Sequence, residues 1–364
     1  MIGIGLVAVV AMVVLWPRGE APRLFADPAT IGHVDATVRA VEEGPCPGSG
    51  VLDELMCRLV TAEVTSGEDQ GKEVTFGVVD QDLAVPELAP GDRVVLQRNM
   101  AVPEEFRYGF ADFQRDAPIA ALVVLFVAAV VLLGRWTGLR ALAGLGLSLA
   151  VVLAFILPAL LRAQPPLAVA LAGSVVIAYA AVYITHGISP RTTVALVGTF
   201  TGAFVVGLVA EGFSRLANLT GLSDDAGQVL LVTAEAVDLR GLLVAGMVIG
   251  AMGVLDDVTI TQVAVVDELR AADPRMGPMD LYRAAIRVGR EHVASAVNTL
   301  VLAYVGAALP LMLLFLQGPR PLLGVATSEV VAIELVRTLA GSIGLIIAIP
   351  AATALAAVLI HREH

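Results

Sequence analysis

Two hydrophobic periods divide the chain. From residue 118 onward, nearly continuous apolar runs recur at approximately 118–134, 141–161, 167–185, 192–210, 241–263, 293–316 and 338–360. A helix needs roughly 17–25 apolar residues to cross the hydrocarbon core of a bilayer, and these runs meet that length. An eighth run, residues 1–16 (MIGIGLVAVVAMVVLW), is at the short end for a span. No basic stretch precedes it, and WPRGEAPR follows it in place of a small-residue cleavage site. It is therefore expected to persist as an N-terminal membrane anchor.

Residues 17–117 follow the other period. HVDATVRAVEEG, RLVTAEVTSG, KEVTFGVVD and DRVVLQR alternate apolar and polar positions, and SGEDQG and LAPGD supply turn chemistry between them. About five short strands in about a hundred residues predict a small β-barrel or sandwich, OB-like in size. The expected architecture is an α-helical polytopic membrane bundle of about eight transmembrane helices, with this β-domain inserted after the first. Its parts are an anchor (1–16), a β-rich domain (17–117) and a seven-helix membrane domain (118–364).

Composition agrees with a membrane class: hydrophobic residues make up 57% of the 364, and charged ones only 16%. The charge is uneven. Residues 17–117 carry 19 acidic against 9 basic side chains, nearly all of the chain's net −11. Such a segment repels nucleic acid, so no nucleic-acid partner is expected.

The arginines set an orientation. With the β-domain outside, the inner loops hold Arg135, Arg140, Arg191, Arg270, Arg275, Arg283, Arg287, Arg290 and Arg362. The outer loops of the membrane part hold Arg162, Arg215, Arg240, Arg320 and Arg337, together with the acids Glu211, Asp224, Asp225, Glu235, Asp238, Glu329 and Glu334. This distribution obeys the positive-inside rule and the reverse violates it. Both termini are then cytoplasmic and residues 17–117 extracytoplasmic, where Cys46 and Cys57 are a candidate disulfide. The outer stretches AGQVLLVTAEAVDL and SEVVAIELV are expected as short amphipathic helices on the outer face. MDLYRAAIRVGREH is expected as a basic helix in an inner loop.

Two adjacent acids, Asp256 and Asp257, interrupt the sixth run, VAGMVIGAMGVLDDVTITQVAVV. At about 100° per residue, Gly246, Gly250, Gly253, Asp257, Thr261, Ala264 and Glu268 share one stripe. Small residues on such a stripe favour close helix approach, so Asp257 is expected to face protein. Asp256 is turned toward the side of Thr259, Val263 and Asp267. In the next run Glu291, Ser295 and Asn298 fall on one face, flanked by Thr299, and this face is expected to meet the aspartates.

A charged side chain at a helix centre costs about 2.5–3.5 kcal/mol, which marks the pair as a candidate functional site. With Thr259, Thr261, Gln262, Glu291, Ser295, Asn298 and Thr299 it forms an oxygen-and-amide environment. That set suits a proton or a hard cation such as Na⁺ or Mg²⁺; no other cofactor is implied. HExxH, GxSxG and Walker sequences are missing, so enzymatic activity is not expected.

The blocks DLRGLLVAGMVIGAMGVLDDVTITQ, GREHVASAVNTLVLAYVGAALPL and ELVRTLAGSIGLIIAIPAATALAA, with HGISPRTTVALVGT before them, resemble the YibE/F family of bacterial multi-pass membrane proteins. The resemblance covers roughly 118–360 and implies a bacterial plasma-membrane location. It leaves open which of Asp256 and Asp257 matters. The expected function is a proton- or cation-coupled transporter or exporter working through the aspartates. The alternative is a non-transporting scaffold whose β-domain binds an envelope component. Expected partners are the lipid bilayer and a small solute or ion, with a homo-oligomer as a further candidate.

Overall fold

A computed structural model describes residues 2–19, 31–46, 56–79, 85–223, 225–233, 237–316 and 321–362. Two compact units divide the chain, residues 23–129 and residues 1–22 with 130–364.

The smaller unit holds β1 (Ile31–Pro45), β2 (Met56–Val64), β3 (Glu73–Val79), β4 (Arg93–Asn99) and β5 (Tyr108–Phe113). They form one antiparallel sheet in the order β3-β2-β1-β4-β5. The four alternating stretches of the sequence are β1 to β4, while β5 (YGFADF) alternates weakly. Period-two spacing places Val34, Ala36, Val38, Val60, Ala62, Val64, Phe76, Val78, Val94 and Leu96 in one buried cluster. β1 is long because it serves two neighbours. Residues 31–37 pair with β4 and residues 36–45 with β2, with a register shift between Val38 and Ala40. β3 also approaches β5.

Asp69, in the β2–β3 turn, pins that turn to the far strands. It accepts hydrogen bonds from Lys72 Nζ at 2.6 Å, Arg98 Nη1 at 2.8 Å and Tyr108 Oη at 2.6 Å. Cys46 and Cys57 are joined as a disulfide across the paired ends of β1 and β2, with Cα atoms 4.9 Å apart. Residues 47–55 between them lie outside the described residues.

The helical elements are α1 (Ile2–Val14), α2 (Asp116–Val151), a π-helical turn (Val152–Ile156), α3 (Leu157–Leu161), α4 (Pro166–His186), α5 (Pro190–Leu216) and α6 (Asp225–Thr233). They continue with α7 (Leu239–Ala272), α8 (Pro278–Ala307), α9 (Leu309–Leu316), α10 (Leu322–Ala326) and α11 (Glu329–Arg362). Among the described residues, five helical stretches are long and apolar enough to cross a membrane: Asp116–Leu161, Pro166–His186, Pro190–Leu216, Leu239–Ala272 and Glu329–Leu359. α8 and α9, bent by 64° where they meet, make a sixth if taken as one span. This is a multi-pass membrane protein. The sequence pattern suggested eight runs. Two of them, 118–134 and 141–161, lie inside the single 46-residue stretch, whose backbone is non-helical at Arg135 (φ 49°, ψ −123°). The run 1–16 forms only the shorter α1.

Two helices expected as separate pieces are continuous with their spans. MDLYRAAIRVGREH is the first half of α8, and SEVVAIELV leads into and begins α11. In α8 the apolar positions Leu281, Ala285 and Gly289 stay in phase with Leu300 and are all buried, so nothing ends the helix between them. Asp224, Glu235 and Arg320 lie outside the described residues.

α5, α7 and α11 form the centre of the bundle through glycine. A Cβ on Gly202 of α5 would stand 2.5 Å from Leu255 Cδ2 of α7 and 2.9 Å from Ala348 Cβ of α11. A Cβ on Gly198 would stand 2.7 Å from Ala352 Cβ. Apolar side chains gain nothing by leaving lipid for protein, so close backbone approach and interhelical hydrogen bonds hold such helices together. Thr199 and Thr259 supply one such bond, at 2.6 Å with both residues fully buried. Ser189 caps α5 in a capping box with Thr192, and so the HGISPRT stretch ends α4 and starts α5.

Candidate functional site

The kinked helix around residue 145 approaches α4 through two glycines. A Cβ on Gly144 would lie 3.4 Å from Ala181 Cα, and one on Gly173 would lie 2.6 Å from Ile156 Cδ1 in the π-helical turn. π-helical turns insert a residue into the hydrogen-bond ladder and recur at functional sites. Between these contacts the helices do not close. A cavity of about 450 Å³ remains, open on one side, walled by Ala141, Leu145, Leu149 and Val152 on one helix, the first three of them exposed at its mouth, and by Ile177, Ala178 and Ala181 on α4. Ile249, Met252 and Gly253 of α7 complete the apolar wall.

Three polar side chains enter this cavity: Ser148, Ser174 and Asp256. Ser148 donates to the Gly144 carbonyl at 2.9 Å, so its proton is already used. Ser174 is 1% exposed and its Oγ has no hydrogen-bond partner. Asp256 Oδ1 is buried and likewise has none. Buried polar atoms without partners are rare because each forfeits a hydrogen bond it had in water. Here two of them belong to side chains in the wall of one cavity.

A second cavity, of about 420 Å³, lies toward the C-terminal end of the same side of α7. Ile260, Val263 and Asp267 line it, with His186 of α4 and Arg191 of α5 opposite. Asp267 closes an ion pair with Arg191 at 2.6 Å. Asp256 and Asp267 are eleven residues apart, three helical turns or roughly 16 Å, so the two cavities follow one face of α7.

The structure separates the two adjacent aspartates. Asp256 turns into the bundle, while Asp257 is exposed. This reverses the expectation that the glycine stripe would seat Asp257 against protein. Gly246, Gly250, Gly253, Ala264 and Glu268 are all exposed, Gly253 at the rim of the first cavity and Ala264 and Glu268 at that of the second, and a Cβ on Gly246 or Gly253 would meet no atom within 4 Å. The physical reason lies in the bulky residues Val248, Leu255 and Val266, which are buried on the opposite side of α7. They turn that side inward and leave the glycines outside.

The remaining expected residues scatter. Thr259 bonds Thr199, and Gln262 is buried, donating to the Ala285 carbonyl at 3.0 Å and Thr353 Oγ1 at 2.9 Å. Both work as glue between helices. Thr261 bonds back to the Asp257 carbonyl at 2.8 Å. Glu291, Ser295, Asn298 and Thr299 are exposed on α8. Thr299 bonds back to the Ser295 carbonyl at 3.0 Å. α8 does neighbour α7, but through Gly289 against Gln262 and Tyr304 against Gly250, so its polar face does not meet the aspartates. Among the described residues no three His, Cys, Asp or Glu side chains gather as metal ligands.

Sequence reading missed Ser148 and Ser174. Each is a single serine in an apolar helix, and only the neighbouring Gly144 and Gly173 hinted at a helix contact there. A family model described as YibE/F-like protein matches residues 122–362, two-thirds of the chain and all of both cavities. No curated protein and no solved structure matches.

Proposed function

The chain belongs to the YibE/F-like protein family, and from that premise we propose that it is a transporter of the bacterial plasma membrane with Asp256 as its coupling group. The observation that carries this reading is Asp256, whose Oδ1 is buried without a partner, in the wall of an apolar cavity between helices of the bundle. A lone carboxylate among aliphatic side chains is costly unless a proton or a cation neutralises it, so such groups mark ion and proton pathways. The second cavity on the same face of α7 continues the path, and the Arg191–Asp267 pair stands at its end.

In this reading the chain crosses the membrane eight times. The crossings are α1, the two halves of the long stretch around Arg135, α4, α5, α7, α8 with α9, and α11. Arginine placement puts both termini in the cytoplasm and the β-domain outside. The strand order, with β3 beside β5, fits an OB-like barrel that receives or releases solute at the outer face.

The test is exchange in proteoliposomes carrying an entrapped pH-sensitive dye, with Na⁺, K⁺, Mg²⁺ and small organic amines offered in turn. Wild-type protein should exchange protons for at least one of them, and Asp256→Asn should not. An Asp256→Asn protein that exchanges at the wild-type rate would overturn the mechanism, and no exchange by either would leave the scaffold role.

A further inference from the structure

We infer that the cavity between the 141–152 segment, α4 and α7 binds a protonated amine with an apolar body, a lipophilic organic monocation. The inference rests on the reading of this cavity as the transport site, although it concerns what the cavity holds and not how it moves.

Volume comes first. About 450 Å³ lies within the range of roughly 300–1,000 Å³ typical of small-molecule sites and far exceeds the space for one bare ion. The wall comes second. It is aliphatic apart from Ser148, Ser174 and Asp256, so most of the ligand's surface must be apolar. No basic side chain lines it, which disfavours an anion.

The polar atoms decide the head group. Asp256 Oδ1 and Ser174 Oγ are both buried without partners, and Ser148 has spent its proton on Gly144. The site thus offers the Asp256 carboxylate, with Ser148 and Ser174 in the same wall, to a donor-rich, positively charged group. Mg²⁺ fits less well. It keeps several of its waters, and an aliphatic wall offers those waters few partners. A quaternary ammonium also fits less well. It carries no N–H to donate to the Asp256 carboxylate, and no aromatic ring lines the cavity to hold it by cation–π attraction. An N–H-bearing ammonium pairs with the Asp256 carboxylate, and its hydrocarbon part covers the wall.

The experiment uses the full-length protein in phosphatidylcholine nanodiscs, with tritiated 4-phenylbutylamine as probe and empty nanodiscs as background. Saturable binding is expected. Asp256→Asn should weaken it about tenfold or more, the loss expected for a hydrogen bond to a charged group, and Ser174→Ala less. Unlabelled amine should compete, whereas 4-phenylbutanol and the trimethylammonium analogue should compete much more weakly. Asp256→Glu, retaining the carboxylate, should bind better than Asp256→Asn, which separates loss of charge from loss of fold. Absence of saturable binding overturns the inference, as does equal competition by the alcohol, equal competition by the quaternary analogue, displacement by Na⁺ or Mg²⁺ ahead of the amine, or wild-type affinity in Asp256→Asn. Amine binding at Asp256 without flux in proteoliposomes would sustain the inference and sink the transport reading. Flux of an inorganic ion without amine binding would do the reverse.

Discussion

Asp256 and Asp257 are neighbours in sequence and face different surroundings: the first lines an apolar cavity, and the second is exposed on the outside of α7. The backbone turns about 100° between them, enough to move a side chain from one environment to the other. Their substitutions should therefore differ. Asp256→Asn should abolish proton-coupled exchange in proteoliposomes, and Asp257→Asn should leave most of it. Equal loss in both variants would mean that the pair acts as a unit.

The ion pair between Arg191 and Asp267 sits at the end of the second cavity. Arg191 is more than half exposed, so the pair contributes little to stability, about 0–1 kcal/mol, and its expected role is to close the path. A cysteine placed at Val263, buried in the wall of that cavity, would report access, because the chain's two native cysteines are bonded to each other. Arg191→Ala should raise its labelling by a membrane-impermeant maleimide several-fold. The charge-swapped double variant Arg191→Asp/Asp267→Arg should return labelling toward the starting level.

The β-domain should lose stability at both extremes of pH, and the sign follows from Asp69 and Tyr108. Hydrogen bonds from Lys72, Tyr108 and Arg98 hold the Asp69 carboxyl well below the ordinary carboxylate range. Its stabilising contribution is complete above about pH 4 and is lost as pH falls through the lowered folded value. Burial, aided by the bond to Asp69, pushes the Tyr108 phenol up to about 12. That contribution is complete below about pH 10 and is lost as pH rises toward the folded value. Proteolytic resistance of residues 31–113 in the intact protein should be flat between these limits and fall outside them. Asp69→Asn should reduce resistance at neutral pH and flatten the acid limb, and an unchanged acid limb would exclude Asp69 as its source.

Glycines of the bundle should divide by surroundings. Gly202 faces Leu255, Ala348 and the Gly344 carbonyl, the last at 3.2 Å from an added Cβ. Gly202→Leu should cost about 1–3 kcal/mol or more through overpacking, read as a lower melting temperature in detergent. Gly246 meets nothing, so Gly246→Ala should stay within about 0.5 kcal/mol of wild type. A large loss at Gly246 in the membrane, absent in detergent, would place another helix against that stripe.

By itself the sequence determined the class, the position of the β-domain and four of its strands. Runs such as 167–185 and the alternation in HVDATVRAVEEG depend on period alone, and period is a local property. It also marked the segment holding Asp256, because two acids in an apolar run are expensive wherever the run sits. Tertiary structure decided which way each acid points. The glycine stripe and the Val248–Leu255–Val266 side of α7 were both credible inner faces, and only packing against α5 and α11 chose the bulky one. It also decided who shares the cavity with Asp256. Ser148 and Ser174 lie on other helices, 108 and 82 positions earlier in the chain. No local pattern can encode so distant a meeting. Helix periodicity fixes azimuth within one element, but the apposition of three elements is a property of their packing.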